Sequence, residues 1–151
     1  MLFQFNFYSS ILLVFFVPFV LYATLLAFRF FKEENWSDCL LACFLFLSAL
    51  YIVPWMTGFA GWYDAQGSIY REILFYTPFV QGLFMGPLLY FYGKSITNAR
   101  FKWSKTDIWH FLPGILYLVW CFIVVITDKL IVGNYYLMDG EQDPDFAGWY
   151  Q

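Results

Sequence analysis

Four stretches of the chain run without a single Asp, Glu, Lys or Arg: Met1–Phe28, Cys39–Tyr63, Ile73–Gly93 and Ile108–Thr127, each at least 20 residues long. Runs of that length match the roughly 18–20 apolar residues a helix needs to cross about 30 Å of hydrocarbon. They predict transmembrane helices at about 8–30, 37–59, 73–92 and 107–127, joined by short loops, so that neighbours lie antiparallel. Strands are not expected. The runs lack the alternating polarity of a barrel strand, and an open sheet in lipid would leave its edge amides unpaired. The fold class is therefore all-α, a polytopic membrane helical bundle of four spans over residues 1–127, followed by an acidic tail or truncated loop at 128–151.

The first run is expected to be a retained span and not a cleavable leader. No Lys or Arg precedes Arg29, and the apolar stretch continues well beyond signal-peptide length.

Charge then orients the bundle. Arg29 and Lys32 lie in the first loop and Lys94, Arg100, Lys102 and Lys105 in the third, against only Arg71 in the second loop and Lys129 in the tail. The positive-inside bias places loops one and three in the cytoplasm, with the N-terminus, the second loop and the C-terminal tail outside. Aromatic residues make up 26% of the chain and charged residues 13%, with a net charge of −3. The four charge-free runs of membrane length exclude a soluble domain, a disordered tail and a disulfide-stapled secreted module. Trp36, Trp103 and Trp109 at one boundary, with Trp62 and Tyr63 at the other, read as interfacial anchors.

Within the spans, proline and glycine are the irregular positions. Pro18, Pro54 and Pro87 fall in helix interiors and are expected to kink them, whereas Pro78 and Pro113 are expected in or near first turns, where a missing N–H matters less. Gly82 and Gly86 form a small-xxx-small pair that lets another helix approach closely; packing within the chain is the first expectation and a homodimer the alternative. Ser104 and Asp107 have the spacing of a capping box before the fourth span.

Chemistry is sparse. Cys39 and Cys43 sit four apart on one helix face and Cys121 lies deeper, so they do not make a zinc site with the single histidine, His110. His110, expected at the membrane boundary, is the one candidate for a pH-sensitive residue. The acidic run Asp139–Asp145 lacks EF-hand spacing. No nucleophile elbow, phosphate loop or intramembrane carboxylate pair occurs, which argues against an enzyme and against an ion-coupled transporter, and no cofactor or metal is expected.

Two stretches carry a family resemblance. Gly86-Pro87-Leu88-Leu89-Tyr90-Phe91-Tyr92-Gly93-Lys94-Ser95 and Asp107-Ile108-Trp109-His110-Phe111-Leu112-Pro113 resemble the N-terminal multi-helix membrane domains of bacterial membrane-embedded AraC-type transcriptional regulators. The resemblance implies a location in the bacterial inner membrane and an odd number of spans that delivers a helix-turn-helix domain to the cytoplasm. This sequence corresponds to roughly the front half of such a membrane domain. It holds no helix-turn-helix region and no strongly basic domain, so direct nucleic-acid binding by these residues is not expected. The expected function is that of a membrane sensor or anchor segment for an unidentified signal, with a small stand-alone membrane subunit of a larger complex as the alternative.

Overall fold

The computed structural model describes residues 6–62, 69–79, 81–98 and 101–127. Tyr63, Arg100, Lys129 and the acidic tail lie outside the described residues. Every regular element among those described is helical. In chain order they are α1 (Phe7–Glu33), α2 (Trp36–Thr57), α3 (Ile69–Tyr76), α4 (Gly82–Thr97) and α5 (Leu112–Ile126).

Local chemistry sets the ends. Asn6 caps α1 by accepting from the Ser9 amide at 2.8 Å, while Ser9 Oγ accepts from the Asn6 amide at 3.0 Å. At the far end Glu34 takes a left-handed conformation (φ 52°) and donates its N–H to the Phe30 carbonyl, closing the helix. Asn35 then accepts from the Ser37 amide at 3.2 Å and starts α2. The turn between the two helices is thus two residues long, and they pack antiparallel along most of their length. A wide turn, Gly58–Trp62, prolongs α2 and stops at Gly61, whose φ of 96° favours glycine.

Among the described residues, three helices are long and apolar enough to cross a membrane: Phe7–Glu33, Trp36–Trp62 and Lys105–Ile126. The last begins as a 3-10 helix, Lys105–Phe111, and continues as α5 with Pro113 in its first turn, where its ring suits the backbone. The helices run on through Pro18, Pro54 and Pro87.

The third predicted span differs from expectation. It is not one helix over 73–92: α3 ends at Tyr76 and α4 begins at Gly82. Pro78 is the cause. It has no N–H for the Leu74 carbonyl and disfavours helical geometry at Thr77, so the last helical bond runs from Thr77 N–H to Ile73 O at 3.0 Å. Phe79 N–H then turns back to the Thr77 carbonyl at 2.8 Å. Pro78 does not fall in a first turn as expected, because α3 already starts at Ile69, more than two turns earlier.

Helix α1 packs chiefly on α2, α2 on α4, and α4 on the 3-10 turn and α5. Much apolar surface faces outward, as with Phe15, Leu21, Tyr22 and Leu25 of α1, each more than half exposed. Outward apolar faces on this scale suit a lipid surround, where burying them between helices gains little. The tightest packing sits at one end, around Leu40, Leu88 and Phe91.

Candidate functional site

The best-organised cluster lies where the α1–α2 turn meets the segment between α4 and α5. Phe91, on the inward face of α4, is fully buried. Its ring stacks on Phe111 at 5.8 Å and 16°, meets Trp103 at 5.0 Å, and takes the edge of His110 at 5.4 Å. Trp103 reaches across to Trp36 at the start of α2, edge to face at 5.8 Å. Loops one and three, which carry most of the basic residues, therefore share one end of the helix array. At the opposite end the Asn6 side-chain amide donates to the Phe59 carbonyl, and the Tyr8 and Phe59 rings lie 5.5 Å apart.

Charges tie the basic end together. Asp107 Oδ2 accepts from the Ser104 amide at 2.9 Å, and the capping box expected from the sequence is formed, at the head of the 3-10 turn. The other oxygen of Asp107 lies 3.7 Å from Lys94 Nζ, which in turn sits 5.5 Å above the Phe91 ring and 5.7 Å above Phe101. Arg29 stands between Glu33 at 3.0 Å and Asp38 at 3.1 Å. Its Nε–H points at Glu33, so Asp38 Oδ2 receives charge without a hydrogen bond. Trp103 Nε1 is likewise buried without a hydrogen-bond partner. The arrangement clamps two loops; it presents no nucleophile beside a base.

His110 is exposed, with Tyr90 at 5.9 Å and Phe91 as its ring neighbours, and it forms no ion pair among the described residues. Cys39, Cys43 and Cys121 are free thiols, and no three His, Cys, Asp or Glu side chains converge among the described residues.

Gly82 and Gly86 lie on the face of α4 turned away from Phe91. A Cβ at either meets no atom within 4 Å, and the same holds for Gly93, which falls within about 40° of the same helix face. The close approach within the chain is instead at Gly114, where a Cβ would come 2.6 Å from the Phe84 ring. Neither Phe91 nor Gly114 stood out in the sequence. The signal for Gly114 was its place one residue after Pro113, in the first turn of a span, where no cap requires glycine.

Away from the basic end, a cavity of about 480 Å³ opens between α3, through Ile69, Ile73 and Tyr76, and α5, through Cys121, Phe122 and Val125. Thr77 and Pro78, at the helix break, also line it. No family model, no curated protein and no solved structure matches this chain.

Proposed function

We propose that the chain is the membrane-embedded sensing and anchoring segment of an AraC-type transcription regulator, without DNA binding of its own. One observation supports the reading above others. The two stretches that carry the resemblance, Gly86–Ser95 and Asp107–Pro113, pack as a unit through Phe91, His110 and Phe111 and through the Lys94–Asp107 pair. A pattern kept for catalysis would converge on a reactive group; this one converges on a clamp between loops.

In this reading the basic end faces the cytoplasm of a bacterial inner membrane, α3 and α4 together make the third of four crossings, and the N-terminus and tail lie outside. The open Gly82/Gly86 face of α4 receives a helix of a second copy. Signalling needs two helix packings that an outer or intramembrane ligand binds unequally, and the clamp at loops one and three is where a change in packing is passed on.

The test is to sequence the gene and its transcript beyond codon 151. Further apolar spans and an in-frame helix-turn-helix region are expected. A stop followed by unrelated sequence overturns the regulator reading and leaves a stand-alone membrane subunit, to be tested by co-purifying a stoichiometric partner from native membranes.

A further inference from the structure

The basic end of the helix array uses its charges unequally. Arg29 is taken up by Glu33 and Asp38, and Lys94 by Asp107, whereas Lys32, Lys102 and Lys105 are exposed and form no ion pair among the described residues. Lys102 and Lys105 share the third loop. Phe101 and Trp103 hold that segment by packing on the core of Leu40, Leu88 and Phe91, and Lys102, between them, is left facing outward. Lys105 opens the last helix.

That helix carries an outward apolar stripe from its first turns. Asp107, Gly114 and Cys121, each seven residues from the next, are buried on its inward side. Ile108, Leu112, Ile115 and Leu116 follow Lys105 at helical spacing, each more than a third exposed, and Trp109 beside them is 69% exposed. From Lys105 to Ile115 is about 18 Å along the axis, with a 3-10 rise to Phe111 and an α rise beyond it. One leaflet of a bilayer, half the hydrocarbon with one headgroup layer, is about 20–22 Å thick. With this helix across the bilayer, Lys102 and Lys105 stand at headgroup height over an apolar stripe of about one leaflet's depth.

Charge complementarity selects the occupant. Residues 94–107 hold Lys94, Arg100, Lys102 and Lys105 against Asp107 alone, whereas residues 29–38 hold Arg29 and Lys32 against Glu33, Glu34 and Asp38. Helix α1 also turns apolar side chains outward at this end, through Leu25, Phe28 and Phe31, but the charge beside them is net negative. A zwitterionic lipid fits both faces equally, and an acidic soluble molecule would leave the apolar stripe uncovered. An anionic headgroup joined to acyl chains matches the last helix and not α1, since each Lys near an anionic surface contributes about fivefold in affinity.

We propose that the outer face of the last helix binds an anionic phospholipid of the surrounding bilayer, its phosphodiester head on Lys102 and Lys105 and its chains along Ile108, Leu112 and Ile115. The inference rests on this helix crossing the bilayer with Lys105 at its headgroup end, and not on the regulator reading.

The full chain in phosphatidylcholine vesicles, with a trace of either phosphatidylglycerol or phosphatidylcholine carrying a diazirine in its acyl chain, tests it by photolabelling and peptide mapping. The peptide holding Ile108–Leu116 should take phosphatidylglycerol label at least about fivefold over phosphatidylcholine label, while the peptide holding Leu25–Phe31 takes the two alike. Raising sodium chloride from about 0.1 M to about 1 M shortens the Debye length from about 10 Å to about 3 Å and should bring the first ratio close to that of α1. Lys102→Gln with Lys105→Gln should do the same at low salt, and Lys102→Arg with Lys105→Arg should retain the preference. Equal ratios on the two peptides, a preference indifferent to salt, or its survival in the glutamine variant each overturns the proposal, and the first two are read on the unaltered chain. Displacement of the label by glycerophosphoglycerol, the head without chains, would make this a site for a soluble phosphodiester and overturn it too. Exclusion of both lipids from Ile108–Leu116 would mean that protein, such as a second copy of the chain, covers that face, and likewise overturns it. A stop followed by unrelated sequence beyond codon 151 would remove the regulator reading and leave this site in place.

Discussion

Gly114 and Gly86 are the same residue type in two physical situations. Gly114 accommodates the Phe84 ring, which is itself held against Phe111 at 6.2 Å, so the ring has little room to retreat from an added methyl. Gly114→Ala should destabilise the chain by about 1–3 kcal/mol, the usual cost of overpacking, and Phe84→Leu in the same chain should restore part of it. Gly86→Ala, with nothing within 4 Å of the new Cβ, should leave the monomer unharmed or up to about 1 kcal/mol more stable. Thermal unfolding in detergent, followed by near-ultraviolet circular dichroism, separates the two; equal losses would contradict the assignment of Gly114 as the close contact. Asp107 has two separable roles, capping through the Ser104 amide and pairing with Lys94. Because Lys94 is 42% exposed and 3.7 Å away, the cap dominates. Asp107→Asn should therefore retain most of the stability that Asp107→Ala loses, about 1 kcal/mol by the same measurement.

At the scale of the elements, the long helices were legible in the sequence because their message is redundant. Met1–Phe28 and Cys39–Tyr63 contain no charge at all, and a boundary error of a turn changes nothing in that argument. The capping box at Ser104 and Asp107 was legible for the opposite reason, since a local hydrogen-bond pattern depends on four adjacent residues and on nothing distant. What escaped was the third apolar run, where hydropathy could not locate the start of the helix. Counting from Ile73 puts Pro78 near a first turn; counting from the observed Ile69 puts it where two turns have already formed and the next hydrogen bond has no donor. The aromatic cluster was illegible as a cluster because Phe91 is one of 20 phenylalanines, and only the approach of α2 to α4 singles it out. If Pro78 alone interrupts the helix, Pro78→Ala should join α3 to α4. Amides from Thr77 to Leu83 should then exchange with deuterium several-fold more slowly, by hydrogen-exchange mass spectrometry. Unchanged exchange would place the cause in the surrounding packing.

For the molecule as a whole, segregation of charge and helix packing are independent lines that meet at one point. By counting alone, the positive-inside bias leads one to expect Arg29, Lys32, Lys94, Arg100, Lys102 and Lys105 on one side of a membrane. Packing places the same two loops together through Trp36 and Trp103, and sets Asn6 against Phe59 at the other end, without reference to any charge. For α2 and α4 to meet in this way, the chain between Trp62 and Gly82 must return from the far end toward the basic one, and the eight residues of α3, about 12 Å of helix, are too short to cross about 30 Å by themselves. The proposed topology therefore has α3 and α4 make the third passage in series, with the break inside the bilayer. Single cysteines, introduced into a Cys39→Ala, Cys43→Ala, Cys121→Ala background in inside-out and right-side-out vesicles, give this a direct reading. Cysteines replacing Lys32 and Lys105 should react with a membrane-impermeant maleimide from the same face, and a cysteine replacing Ser68 from the opposite face. Thr77→Cys should resist the reagent from both. Reaction of Thr77→Cys as fast as the loop positions would put the helix break in water, and α3 with α4 would then lie along the membrane surface and not within it.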